Sequence, residues 1–190
     1  MRKLHNNELG RKSIQDYKKS GKSPFVVVLD NVRSHNNVGS VFRTADAFLT
    51  WKVLLCGITP RPPHRDIQKT ALGATESVEW EWYEKTTDAL RKLKEEGYLI
   101  VGVEQVEGAV ELQDLKIERS RKYALVFGHE VKGVSQEALD LCDQCVIIPQ
   151  FGTKHSFNIA VSAGIVLWEV NKKGVASNAP VYKIIFIILL

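Results

Sequence analysis

The stretch Ile147-Ile148-Pro149-Gln150-Phe151-Gly152-Thr153-Lys154-His155-Ser156-Phe157-Asn158 runs directly into Ile159-Ala160-Val161-Ser162-Ala163-Gly164-Ile165-Val166-Leu167-Trp168-Glu169. Its first residues are apolar and end at Pro149, which has no N–H to give a strand ladder, so a short strand over residues 146–148 stops there. A loop containing Gly152 follows. Ser156 stands where a helix N-cap is expected, ahead of a long helix-compatible run. That run is rich in small residues, with Ala160, Ala163 and Gly164 on one side, where another backbone can come close. A helix start also turns unpaired N–H groups toward whatever lies in the loop before it. Taken alone, the stretch is equally an ordinary connection whose Ser and Asn cap a buried helix.

Two further stretches supply context. They are Asn36-Asn37-Val38-Gly39-Ser40-Val41-Phe42-Arg43-Thr44-Ala45 and Leu125-Val126-Phe127-Gly128-His129-Glu130-Val131-Lys132-Gly133-Val134-Ser135. With residues 148–169 they resemble, in order and spacing, the three motifs of the SpoU-type (TrmH-like) 2′-O-ribose RNA methyltransferases of the SPOUT superfamily. The resemblance spans residues 25–169. It implies S-adenosyl-L-methionine as cofactor, transfer of a methyl group to a ribose 2′-hydroxyl of tRNA or rRNA, a deep C-terminal trefoil knot and a homodimer. It places cofactor contacts, mainly through backbone, on Gly128, Ile148 and Phe157. It assigns activation of the hydroxyl to Arg43, with Asn37, Glu130, Ser156 and Asn158 orienting the reacting groups. Phe157 stands where the family more often has Leu, and His129 and Val131 also depart from its commoner residues.

The chemistry constrains Arg43 independently. A guanidinium stays protonated in proteins and is a poor general base. Two roles remain: a bidentate hold on an adjacent phosphate whose oxygen takes the proton, or stabilisation of the developing alkoxide. No metal is required by either role.

Composition bounds the rest. The 190 residues suffice for one domain with a substantial core, and apolar and charged contents of 44% and 25% are those of a soluble globular protein. The polar N-terminus does not read as a signal peptide. Three cysteines, an odd number, fit a reducing, cytoplasmic compartment. Cys142 and Cys145 have metal-like spacing but no second ligand pair, and read as half-buried thiols leading into a strand. The seven apolar residues 184–190 are too few to span a bilayer, which takes about 20. They are expected to be buried in some form, because an exposed apolar run is a liability.

The net charge of +4 is uneven. Residues 1–24 hold seven basic and two acidic side chains, leaving the remainder at −1. A basic arm on a near-neutral body fits contact with a phosphate backbone. The expected division is therefore a helical arm over 1–24, a catalytic domain over 25–173 and a linker with an apolar tail over 174–190.

Along the chain, Asn7 is a plausible cap for a helix over 7–19. Apolar runs at 25–29, 98–103 and 123–127 read as buried strands, and 51–56 reads as a further strand. Residues 78–83 alternate and read as an edge strand. Helices are expected over 38–48, 69–72, 86–96 and 134–142, with polar loops over 57–70 and 104–114. Strands alternating with helices predict an α/β fold, a mostly parallel sheet with helices on both faces. Pure topology rules predict no knot; that expectation comes from the resemblance. There is no Gly-x-Gly-x-x-Gly after the first strand, which weighs against a dinucleotide fold. Two alternatives stay open: a non-catalytic RNA-binding relative, and another nucleotide-binding α/β enzyme.

Overall fold

The apolar runs form seven strands, all paired in parallel: β1 (Ser23–Asp30), β2 (Thr50–Cys56), β3 (Glu79–Tyr83), β4 (Tyr98–Val103), β5 (Val110–Glu111), β6 (Lys122–Phe127) and β7 (Gln144–Ile147). The computed structural model describes residues 1–5, 8–118 and 120–175. The sheet order is β3-β2-β1-β6-β4-β7-β5. The chain thus builds outward from β1 to the β3 edge, crosses to the other half, and then inserts β6 and β7 between strands already placed. As expected from its alternation, β3 is an edge strand.

Alternate residues of each strand enter two separate cores. Phe25, Val27, Leu29, Val53, Leu55, Leu125 and Phe127 face one way. Val26, Val28, Leu54, Ala124 and Val126 face the other. Helices cover both sides because a sheet apolar on both faces must be shielded on both. The first face carries α1 (Ile14–Lys19), α2 (His35–Ala47), α3 (Arg65–Ala71), α4 (Ala74–Ser77) and α7 (Ile159–Val175). The second carries α5 (Thr86–Glu95) and α6 (Gln136–Leu139), through Ala89, Leu90, Leu93 and Ala138.

Several boundaries differ from the sequence reading. The first helix begins only at Ile14, because Ser13 is its cap and accepts a hydrogen bond from the Asp16 N–H; the expected cap, Asn7, lies outside the described residues. Tyr17 of α1 is buried in the first core. Helix α3 starts four residues before its expected place, since the His64 imidazole accepts the Asp66 N–H and caps it. The loop expected over 104–114 contains β5 and a 3-10 turn, Leu112–Asp114. β5 is two residues long, too short to carry a period. Helix α6 is four residues rather than nine, and α7 continues through Gly174, where a linker was expected. The apolar tail, residues 184–190, lies outside the described residues.

Helix α2 carries the first motif and is clamped between neighbours. Gly39 faces α3 so closely that a Cβ there would meet the Thr70 Oγ1 at 2.1 Å and the Ile67 carbonyl oxygen at 2.3 Å. The Thr70 hydroxyl also donates to the Asn36 carbonyl (3.0 Å), locking the two helices in register. A side chain at residue 39 therefore has to push backbone apart, and overpacking of this kind costs about 1–3 kcal/mol. Gly39→Ala should lower unfolding free energy by that amount in urea titrations; an unchanged midpoint would mean that α2 and α3 are free to separate.

Candidate active site

The three quoted stretches come together at the carboxyl ends of β4, β6 and β7, where an open parallel sheet forms its ligand crevice. A cavity of about 490 Å³ lies there. Gly128, His129 and Glu130 line it from the loop after β6, Ile148, Ser156 and Phe157 from the chain after β7, and Val103 and Glu104 from the end of β4.

Glu130 is the hub. One carboxylate oxygen accepts the Arg33 N–H (3.0 Å), and the other accepts the Ser34 N–H (2.9 Å) and the Asn37 side-chain amide (3.1 Å). The Asn37 side-chain oxygen in turn accepts from the Asn158 amide (3.1 Å). Asn158 spends its own side-chain oxygen on the Ala160 N–H (2.9 Å) at the start of α7. One chain of hydrogen bonds thus joins all three stretches. Desolvation pushes the Glu130 carboxyl up, but the N–H groups it accepts, from Arg33, its own residue and Ser34, together with Asn37, outweigh this and leave it below its ordinary value of 4.5. A depressed carboxyl stabilises the fold above its unfolded pKa, and that contribution fades as pH falls through the folded value. The link is thus intact at neutral pH and weakens only in acid.

Asn158, not Ser156, caps the last helix. Its side chain accepts from Ala160 and its carbonyl from the Ser162 N–H (2.9 Å). Ser156 is exposed on the cavity wall, two residues further from the helix than its expected place as cap. Ile148 has left the β7 ladder and is half-buried against the first core, and Phe157 is 41% exposed.

The two glycines after β6 serve loop closure. A Cβ on Gly128 would lie 2.1 Å from both the Gly133 carbonyl carbon and the Val134 nitrogen. Gly133 has φ +69°, a left-handed conformation that costs glycine little. His129 completes the turn: its Nδ1 accepts the N–H groups of Val131 (3.0 Å) and Lys132 (3.3 Å), and its backbone exchanges two hydrogen bonds with Gly133. The residue that departs from the family's commoner choice is thus a built part of this loop.

Two carboxylates that the sequence reading did not single out brace the same loop. Glu104 accepts the Val134 N–H (2.8 Å) and lies against Gly133. Asp30, 1% exposed, accepts the Ser135 N–H (2.7 Å) and the Thr86 hydroxyl. Each sits at the carboxyl end of a buried strand or one residue beyond it, and an acid in that position is the signal that could have found them.

Arg43 stands apart. It is exposed on α2, it does not line the cavity of its own chain, and its side chain makes no hydrogen bond or ion pair among the described residues. Its helical neighbours Asn36 and Ala47 share this outward stripe. On α7, Ala163 is fully buried in its own chain, so the small-residue side seen in the sequence partly serves the internal core. The outward positions are Val161 (50% exposed), Gly164, whose missing Cβ faces open space, and Trp168 (38%), which meets Phe48 edge-on. Cys142 and Cys145 are half-buried, and burial pushes the Cys142 thiol up to about 12, so it is a poor nucleophile.

Comparison with known proteins shows the family to which this fold belongs. The 23S rRNA (guanosine-2′-O-)-methyltransferase RlmB of Neisseria meningitidis is 34% identical over 158 residues, 83% of this chain and 62% of that protein. The tRNA (guanosine(18)-2′-O)-methyltransferase of Escherichia coli is 30% identical over 156 residues, 82% of this chain and 66% of that one. The chain therefore spans a little under two thirds of these relatives. Among solved structures, the A. aeolicus TrmH/SpoU tRNA modifying enzyme superposes with a TM-score of 0.75 at 23% identity, covering 88% of this chain and 82% of that one. The AdoMet-bound rRNA methyltransferase from Sinorhizobium meliloti gives 0.73 at 27% identity, covering 85% and 60%. Residues 24–168 match the SpoU rRNA Methylase family, and the chain belongs to that family.

Proposed function

We propose that this protein transfers a methyl group from S-adenosyl-L-methionine to a ribose 2′-hydroxyl in tRNA or rRNA. The observation that carries the reading is the single hydrogen-bonded chain Glu130–Asn37–Asn158, which ties the first motif to the cavity that the second and third motifs line. Relatives named as guanosine 2′-O-methyltransferases support it. The cavity also suits the cofactor: about 490 Å³ is within the usual range for small-molecule sites, with Ile148, Phe157 and Val103 as apolar wall and the closed 128–133 turn as polar backbone wall. Gly128, Ile148 and Phe157 would hold it. Bound there, the cofactor supplies an electrophilic methyl group.

The chain's own residues do the rest. Glu130, Asn37 and Asn158 hold the loops that frame the reacting groups, and Ser156 offers a hydroxyl at the cavity wall. Arg43 acts as a positive charge rather than as a base, as a guanidinium does. Its planar fork grips the phosphate beside the target ribose and stabilises the 2′ oxygen, while a phosphate oxygen takes the proton.

Because Arg43 does not line its own cavity, the working unit in this reading is a homodimer in which it serves the partner's site. The outward stripe of α2 and the open side of α7 at Val161, Gly164 and Trp168 form the two-fold contact. The family's trefoil knot belongs to the same proposal. It is supported by the insertion of β7 between β4 and β5 and by the Gln105 amide, which holds the His155 carbonyl across that crossing (2.6 Å). Residues 1–24 form a basic arm that extends the RNA surface beside the domain over 25–173, in a cytoplasmic protein. Among the described residues no helix is long and apolar enough to cross a membrane.

Arg43→Ala should abolish methyl transfer while S-adenosylhomocysteine affinity stays within about threefold by calorimetry. Arg43→Lys should fail as well, since a point charge does not reproduce a planar fork. Retained turnover in either variant contradicts the role. A mixed dimer of Arg43→Ala with a chain crippled at the cofactor wall should regain activity if sites are shared; no recovery contradicts sharing.

Gly164→Trp adds bulk where a Cβ meets nothing among the described residues, and a two-fold contact suffers it twice. Light scattering should show a monomer with an unchanged circular dichroism spectrum; a dimer of normal mass would place the contact elsewhere.

A further inference from the structure

Two large apolar side chains stand in solvent on two different loops, Val131 on the cavity wall and Phe151 one residue past it. Val131, in the loop after β6, is 84% exposed, and Phe151, in the chain after β7, is 98% exposed. Neither position is accidental to its loop. Val131 is carried by the turn that His129 closes through the Val131 and Lys132 N–H groups. Phe151 sits in a segment tethered by the Gln105 and Gln150 amides, both of which donate to the His155 carbonyl (2.6 and 3.4 Å). Val131, Lys132 and Gln150 line the cavity, and Phe151 is the next residue past Gln150. Each apolar side chain has a cation close by in sequence: Lys132 beside Val131, Lys154 three residues beyond Phe151, both exposed.

An exposed apolar pair flanked by cations matches one ligand chemistry better than others. A nucleobase has two apolar faces and a phosphate on either side. Single-stranded nucleic acids are bound by aromatic stacking with basic residues following the backbone. A second protein surface would bury the apolar groups but give the lysines no reason to accompany them.

We propose that Phe151 and Val131 clamp the base of the target nucleotide, or of its immediate neighbour, with Lys132 and Lys154 on the flanking phosphates. This rests on the reading of the protein as an RNA methyltransferase and adds the residues that seat the substrate. Phe151 supplies the stacking face and Val131 the opposing aliphatic wall. The clamp is sequence-tolerant, since every base has a π-face, so it positions the nucleotide rather than identifying it.

The test uses the full chain with unfractionated tRNA and ribosomal RNA as probes. Phe151→Ala should raise KM for the RNA on which the wild type acts by about tenfold, the size of one lost stacking contact, with less change in kcat. Phe151→Trp should restore it. Because stacking releases no counterions, Phe151→Ala should leave the salt dependence of RNA binding unchanged, whereas Lys154→Ala should make it shallower. S-adenosylhomocysteine affinity and oligomeric mass should stay at wild-type values in all three variants. An unchanged KM in Phe151→Ala overturns the clamp. So does a change in mass, which would assign the side chain to a contact between copies, or a loss of cofactor affinity, which would assign it to the cofactor wall. A wild-type chain that binds S-adenosylhomocysteine but methylates neither RNA overturns the underlying reading; normal wild-type transfer with an indifferent Phe151 sinks only the clamp.

Discussion

The hydrogen bonds that meet at Glu130 and pass through Asn37 to Asn158 are the constraint on which the site depends. The residues they join are 93 and 121 positions apart in sequence. No local propensity could bring them together, and the strands that carry them reach this end of the sheet from different parts of the chain. Each amide uses both ends of its side chain: Asn37 donates to the carboxylate and accepts from Asn158, and Asn158 donates to Asn37 and accepts from Ala160. Aspartate at either position would lose the donor, and at residue 37 it would also set a second negative charge beside Glu130. The same network caps α7, so the start of the last helix and the geometry of the cavity cannot be altered separately.

The rest of the architecture serves this meeting point. β6 and β7 enter late in the chain, yet both lie in the interior of the sheet, so the loops that follow them open beside the end of β4. Buried or half-buried carboxylates at strand ends, Asp30 and Glu104, accept the N–H groups of Val134 and Ser135 that would otherwise be unpaired at the turn after Gly133. Close packing then removes the remaining freedom. Gly128 folds against the backbone of its own loop, and Gly39 against α3, with no space left for a methyl group. These glycines are demanded by the protein's own backbone, before any ligand is considered.

Much of this was legible in the sequence, for a definable reason. Three continuous apolar runs marked inner strands, because burial on both faces erases alternation, and the alternation of residues 78–83 marked the edge. The motif residues were legible through their order and spacing. What escaped were features decided by contacts distant in sequence. β5 exists through its pairing with β7, not through its two residues. α3 starts early because a histidine caps it, which is not among the usual cap residues. Ser156 looked like the cap by type, but Asn158 takes the role through the Ala160 N–H, with its amide tied to Asn37. The small residues of α7 revealed closeness without saying to what: Ala163 turned inward to the core of its own chain, and Gly164 outward.

The most direct test of the central claim is a double-mutant cycle on Asn37→Ala and Asn158→Ala, read as unfolding free energy in urea at neutral pH, where Glu130 is ionised. Residues that share a hydrogen-bonded network couple by about 0.5–3 kcal/mol. The account predicts a coupling in that range, and S-adenosylhomocysteine affinity that falls no further in the double variant than in the worse of the two single ones. Strict additivity of both quantities would contradict it, because it would mean that the motif loops hold their positions independently and that the hydrogen-bonded chain through Glu130 does not organise the site.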